Sequence, residues 1–277
     1  MAEMSVIWLR VAAALYSLGL LHAILTLVRR REHLFRVALA AFTFGSVFHF
    51  VSIVEEGIVN NRCPIANTYE TFSMCAFLVV VVYLIVHWRY KVESLSVFIF
   101  PLVFVMALVA TLGNPVSAWS SPVVRNVWLT VHIVLVLLGY AALAFTAVAS
   151  VVYLFQEREL KAKKPRKFYY RLPALGTLDE LISRSMAIGF VLITLAVIAA
   201  STWASIELKG DWIGEPKIVI SFVTWGIYMA LVFLRTTAGW RGRKAAIMTI
   251  VLVCSSALTW AAHSQLGTVL NKGLLKQ

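Results

Sequence analysis

Apolar runs too long for a water-soluble core follow one another along the whole chain. Eight of them, at about residues 5-28, 33-54, 68-88, 94-112, 127-155, 184-206, 217-236 and 244-264, match the ~20 residues that a helix needs to cross a bilayer. Hydrophobic residues make up 61% of the 277 positions and charged residues 14%, which is too little polar surface to cover a soluble domain. Lipid offers the backbone no hydrogen bonds, so spans must be helices or closed barrels. Runs of this length exclude barrel strands. The predicted fold class is an all-α integral membrane protein of eight transmembrane helices in a single membrane domain, 1-277.

Lysine and arginine orient the spans, because basic loops stay cytoplasmic. Arg29, Arg30, Arg31 and Arg36; Arg89 and Lys91; Arg158, Lys161, Lys163, Lys164, Arg166, Lys167, Arg171 and Arg184; and Arg235, Arg241, Arg243 and Lys244 fall at every second connection. The opposite connections hold only Arg62, Arg125 and Lys209, with Lys217 at a helix mouth. Both termini are therefore expected on the outer (periplasmic or extracellular) side of a bacterial inner or plasma membrane. A net charge of +12 split among short loops reads as topology, and nucleic acid is not an expected partner. No small-residue cleavage site follows the first run, which reads as a retained helix. Cys63, Cys75 and Cys254 form no CxxC pair and no zinc or disulfide pattern.

Two connections carry local signals. Thr177 and Glu180 have capping-box spacing, which predicts a short inner amphipathic helix at about 177-183 feeding the sixth span. The stretch 113-126, with two prolines, a tryptophan and few charges, suits the membrane interface. Glu55, Glu56, Glu70 and Glu215 sit at helix mouths on the outer side and read as solvated ends. Charges at mid-membrane depth, the mark of a transporter, are missing.

An imidazole inside a bilayer is costly unless it binds something. With alternating directions and ~1.5 Å per residue, His49, His132 and His263 fall toward the outer face, while His22, His33 and His87 fall toward the inner one. Three imidazoles at one depth outline a metal or heme ligand set. Taken singly, each reads first as an interfacial histidine bonded to water, a headgroup or a backbone carbonyl. Trp128 stands one helical turn before His132, where an aromatic wall suits a porphyrin edge, and Arg125 is placed to meet a propionate. Trp128 also fits an ordinary belt tryptophan.

Several segments, in order from about residue 45 to 246, resemble the cytochrome c assembly proteins of the CcsA and HemX type. His49 followed by Pro64-Ile-Ala-Asn67-Thr-Tyr69-Glu70-Thr-Phe72 resembles that family's outer loop entering span three. Trp128-Leu-Thr-Val-His132 with Gly139-Tyr140 resembles the segment bearing an outward-facing heme ligand. Leu172-Pro-Ala-Leu-Gly-Thr-Leu-Asp179 with Gly189-Phe190 resembles the cytoplasmic entry to span six. The outer tryptophan-containing loop, 203-217, resembles the family's tryptophan-rich heme floor. It keeps Trp203, Trp212, Pro216 and Lys217, but has Leu208, Gly214 and Glu215 where the family has two tryptophans and an aspartate. Phe233 stands where the family has a membrane-embedded histidine, and His263 lies a few residues before its last outer histidine. These departures make the chain more similar to a HemX-type member than to a complete heme lyase.

The resemblance implies heme b held toward the outer face. His132 is one axial ligand and His49 or His263 the second. Trp128 and Trp212 pack on the macrocycle, and Arg125, Lys209 and Lys217 are candidates for the propionates. Other cytochrome c assembly membrane proteins are the implied partners, with apocytochrome c a further candidate. No nucleophile and base pair up as a catalytic unit. The alternative is a heme-free scaffold or regulatory subunit of a membrane complex for cytochrome c maturation or tetrapyrrole synthesis.

Overall fold

A computed structural model describes residues 2–29, 32–60, 63–65, 67–113, 127–162, 172–207, 212–214 and 216–256. The helices are α1 (Ala2–Arg29), α2 (Glu32–Asn60), α3 (Thr68–Tyr90), α4 (Ser96–Thr111), α5 (Val127–Lys161), α6 (Leu175–Glu207) and α7 (Pro216–Thr236). A further helix, α8, covers 243–256. The described residues hold no strand, and seven helices are long and apolar enough to cross a membrane. Only 14 residues of the expected eighth span are described as helix, and its remainder to 264 lies outside the described residues. The chain is a multi-pass membrane protein.

Contacts between chain ends show the up-and-down course. Ser52 Oγ near the end of α2 donates to the Ser5 carbonyl near the start of α1 at 2.7 Å. At the other end of the bundle, Phe35 of α2 and His87 of α3 touch, with ring centroids 5.4 Å apart. Successive helices therefore run in opposite directions, as short connections require.

Caps define the ends that matter for the site. Asn67 precedes α3 and accepts from the Glu70 amide at 2.8 Å, while its own Nδ2 donates to Glu70 Oε1 at 3.2 Å. Two polar groups thus satisfy one helix mouth. Glu70 is consequently buried, at 6% exposure, and is not the solvated end expected from sequence.

The helix expected at about 177-183 is part of α6. The Leu178 amide already bonds the Ala174 carbonyl at 3.1 Å, so Ala174 is the cap and Thr177 lies inside the first turn. Glu180 reaches forward to Arg184 (2.6 Å), not back to a cap. Asp179 and Ser183 serve a different purpose: Arg235 at the end of α7 donates to Asp179 Oδ1 and to Ser183 Oγ, both from Nε or Nη2 within 2.9 Å. The Gly242 amide, just before α8, also donates to Asp179 Oδ1 at 3.3 Å. One carboxylate therefore ties the inner ends of α6, α7 and α8. The loop expected from 203 begins later as well, because α6 continues to Glu207.

Without a hydrophobic drive between helices in lipid, association rests on close packing. The larger core joins α1, α2, α3, α4 and α5 with the start of α6 (Leu178 and Leu181), and Tyr16, Phe42, Tyr83 and Phe100 are fully buried in it. Phe42 stacks on Phe100 with centroids 3.4 Å apart. A smaller core joins α5, α6, α7 and α8 through Leu143, Met186, Tyr228, Leu231 and Leu252. There Gly189 leaves room for Tyr228, whose hydroxyl donates to the Met186 carbonyl at 2.7 Å. A Cβ on Gly189 would sit 2.5 Å from that hydroxyl.

Candidate functional site

His132 lies in the second turn of α5 and is half-buried. Its Nδ1 is 2.8 Å from the carbonyl oxygen of Ala196 on α6. A carbonyl only accepts, so Nδ1 carries the proton and donates. In the neutral ring this leaves the lone pair on Nε2, the tautomer and fixed ring orientation expected of a metal-binding imidazole. A backbone-carbonyl partner was one of the ordinary fates foreseen for this residue, and the same bond also prepares a ligand.

Beside His132 is a cavity of about 490 Å³ between α3, α4, α5 and α8. Its lining is mostly aliphatic and aromatic, with Thr71, Cys75, Met106, His132, Tyr140 and Ser256 as the groups able to donate to or ligate a guest. This is the size and character of a site for a cofactor-sized ligand, commonly ~300–1,000 Å³ and largely apolar with few polar groups. A second cavity of about 60 Å³ lies toward α6 and α7. His132, Val136, Tyr140, Leu143 and Ser256 line both, so these side chains form a partition one residue thick. On the far side Trp225 Nε1 donates to Thr194 Oγ1 at 3.0 Å, which fixes the indole against α6.

The other expected site residues are distributed differently. His49 is fully buried and lines neither cavity. Its Nδ1 is 3.2 Å from the Tyr16 hydroxyl, and its Nε2 is 2.9 Å from Ser73 Oγ. Trp128 is 46% exposed and lines neither cavity. Trp212 opens a 3-10 turn, Trp212–Gly214, and Lys217 is the second residue of α7. Arg125, Lys209 and His263 lie outside the described residues, as does the interfacial stretch 114–126.

Sequence reasoning gave Tyr140 no role. The signal was present: Val136 and Tyr140 follow His132 at four and eight residues, one face of α5. Cys75 and Met106 come from other helices and carried no such signal.

A model of the family described as cytochrome C assembly protein matches residues 65–262. The chain belongs to the cytochrome c assembly protein family. Among its relatives, a protein named cytochrome c biogenesis protein CcsA from Prochlorococcus marinus (strain MIT 9301) is 28% identical over 71% of this chain and 72% of the relative. Proteins of the same name from Heterosigma akashiwo (strain NIES-293 / 8280G21-1) and Prochlorococcus marinus subsp. pastoris are 24% and 25% identical. They cover 70% and 76% of this chain and 73% and 76% of their own lengths. The matched span takes in α3 to α8, including every residue that lines the cavity beside His132.

Proposed function

We propose that this chain is a membrane component of cytochrome c biogenesis that holds heme, of the b type before attachment, in the cavity beside His132. The observation that carries the reading is the His132–Ala196 bond at the wall of a cavity of about 490 Å³. A macrocycle needs a large apolar slot and an imidazole whose ring is already aimed, and the residues present fit both needs.

Bound heme would supply the iron and vinyl groups for attachment to cysteine thiols. The protein's own contribution is to place it: Ala196 holds the His132 ring, the apolar walls exclude water, and Tyr140 offers a hydroxyl at the partition. The sealed position of His49 favours His263 as the second imidazole, with His49 left for another task. Trp128, Trp212, Arg125, Lys209 and Lys217 remain proposed contacts for the ring edge and propionates. In the same reading the site faces outward, both termini lie outside, 244-264 completes an eighth span, and the partners are other assembly proteins and apocytochrome c.

One observation favours the second reading, a heme-free scaffold or regulatory subunit of a membrane complex. Phe233 on α7, at the position where the resemblance led to the expectation of a membrane-embedded histidine, is apolar and 61% exposed.

The deciding experiment is an absorption spectrum of detergent-purified protein, oxidised and reduced, for wild type and His132→Ala. The heme reading expects a Soret band with sharp reduced bands that collapses in the variant. A wild type that stays colourless after heme is added overturns it in favour of the scaffold.

A further inference from the structure

A histidine with no exposed surface is expensive in a membrane core, and it calls for an account of its own. His49 sits between Tyr16 of α1 and Ser73 of α3, hydrogen-bonded at both ring nitrogens. Ser73 in turn lines a small cavity at the mouth shared by α1, α2, α3 and α4, together with Ser5, Ser52, Glu56, Asn67 and Glu70. Its volume is about 30 Å³. One water needs roughly 10–15 Å³ and two to four polar partners, so the cavity has room and partners for about two waters.

We propose that this polar inlet admits water from the mouth where α1 begins and lets His49 exchange a proton with the aqueous phase through Ser73. In the receptive tautomer Nδ1–H donates to the Tyr16 oxygen, and Nε2 accepts from the Ser73 hydroxyl. Ser73 passes its proton to Nε2 and takes one from a hydronium that the cavity water relays from the aqueous phase, which leaves an imidazolium that donates at both ends and a neutral water in the cavity. The only co-reactant is a hydrated proton. Past Tyr16 the file stops, because the ring packs on Phe42 (4.9 Å between centroids) and Phe42 on Phe100. The inlet is therefore a one-sided proton-binding site and not a channel. The groups that face His49 are Tyr16 from α1, Ser73 and Phe77 from α3, and, at the cavity, the carboxyls of Glu56 and Glu70.

The inlet lies across α3 from the cavity beside His132. Ser73 faces His49, whereas Thr71, Phe72 and Cys75 face that cavity. Neither test below needs heme, so failure here and failure of the heme reading are separate results.

The first test places single cysteines at Ser52, Ser73 and Ala38 in a chain with Cys63, Cys75 and Cys254 replaced by serine. Silver ion, a charged thiol reagent small enough for a space of about two waters, is then applied to either side of sealed vesicles and the remaining free thiol is titrated. Cysteine at 52 and at 73 should label from one side only, the outer side in the orientation proposed above. Cysteine at 38, buried beyond Tyr16, should not label. Equal protection at 73 and 38 overturns the inlet.

The second test avoids the cysteine background. In bilayers of the ¹⁵N-histidine-labelled chain, the His49 ring nitrogens, assigned by their loss in His49→Gln, should exchange magnetisation with water. That exchange should be lost in Ser73→Val, which removes the hydroxyl and fills its space. No exchange in the wild type, or exchange unchanged in Ser73→Val, overturns the relay.

Discussion

Around His49, the helices α1 to α4 close into a packed core: the imidazole has no exposed surface and both nitrogens are bonded to side chains. Around His132, helix α5 borders two cavities, one shared with α3, α4 and α8 and one with α6, α7 and α8, and the imidazole lines both while its Nδ1 donates to a backbone carbonyl. Both residues are histidines on apolar helices toward the same end of the bundle. What separates them is the supply of neighbours. Tyr16 and Phe77 pack against His49, and Phe42 and Phe100 continue the aromatic packing beyond Tyr16. Near His132, the pairing of α5 with α6 through Gly139 and Gly189 fixes one wall, and the side toward α3 and α4 is left open. An imidazole suited to bind a large guest needs such space, and one suited to exchange a small ion does not.

The contrast is sharpest in packing. Phe100→Ala removes a fully buried ring stacked on Phe42. It should cost about 3 kcal/mol, toward the low end for such truncations because lipid removes part of the transfer term. Val136→Ala, which only enlarges existing space, should cost under about 1 kcal/mol by the same cavity argument. Reversible unfolding in mixed micelles measures both, and equal costs would dissolve the distinction between a packed half and an open one.

The tie at the inner end tests whether the open half is held from outside its cavity. Asp179→Asn strips the charge from a carboxylate that serves Arg235 and the Gly242 amide. With the Arg235 side chain only 8% exposed, the loss should be about 2 kcal/mol, below the ~3–5 of a fully buried pair because Asp179 is partly wet. Unfolding by the same method measures it, and limited proteolysis should show α7 and α8 released first.

Much of this architecture was legible because a bilayer permits so little. Apolar runs had to be helices, and seven of the expected spans coincide with α1 to α7 to within a turn or two at most ends. The spacing of His132, Val136 and Tyr140 along one side of α5 was also readable from a period of 3.6, whereas Trp128, one turn before His132, lines neither cavity. Hidden were the bonds between distant segments. Tyr16, His49 and Ser73 are separated by 33 and 24 residues, and Asp179 and Arg235 by 56, with no periodicity linking them. The capping-box reading failed for a related reason: Asp179 and Ser183 were wanted by Arg235, so the helix began earlier and Thr177 was left inside it. A local pattern yielded to a tertiary partner.

His49→Ala probes the same divide from the packed side. It leaves the Tyr16 hydroxyl without its imidazole in the packed core and Ser73 facing only the small polar cavity, and should cost about 1–2 kcal/mol, the upper range for polar pairs inside a bilayer. It should leave the heme spectrum unchanged. His132→Ala should do the reverse, with little loss of stability and loss of the spectrum. A spectrum that collapses in His49→Ala while His132→Ala keeps its own would exchange the roles assigned to the two residues.

The smallest effect concerns the wall that keeps the open half in register. In Gly189→Ala the new methyl would stand 2.5 Å from the Tyr228 hydroxyl, against rigid α6 backbone, so the tyrosine must give up its bond to the Met186 carbonyl. The cost should be about 1 kcal/mol, from mild overpacking and one lost hydrogen bond. Tyr228→Phe in the same chain removes the clashing oxygen and should recover part of it, making the double variant more stable than the sum of the singles predicts. Strict additivity would mean that Tyr228 does not set the distance between α6 and α7. The position of Ala196 against His132 would then depend on the contact between α5 and α6 alone.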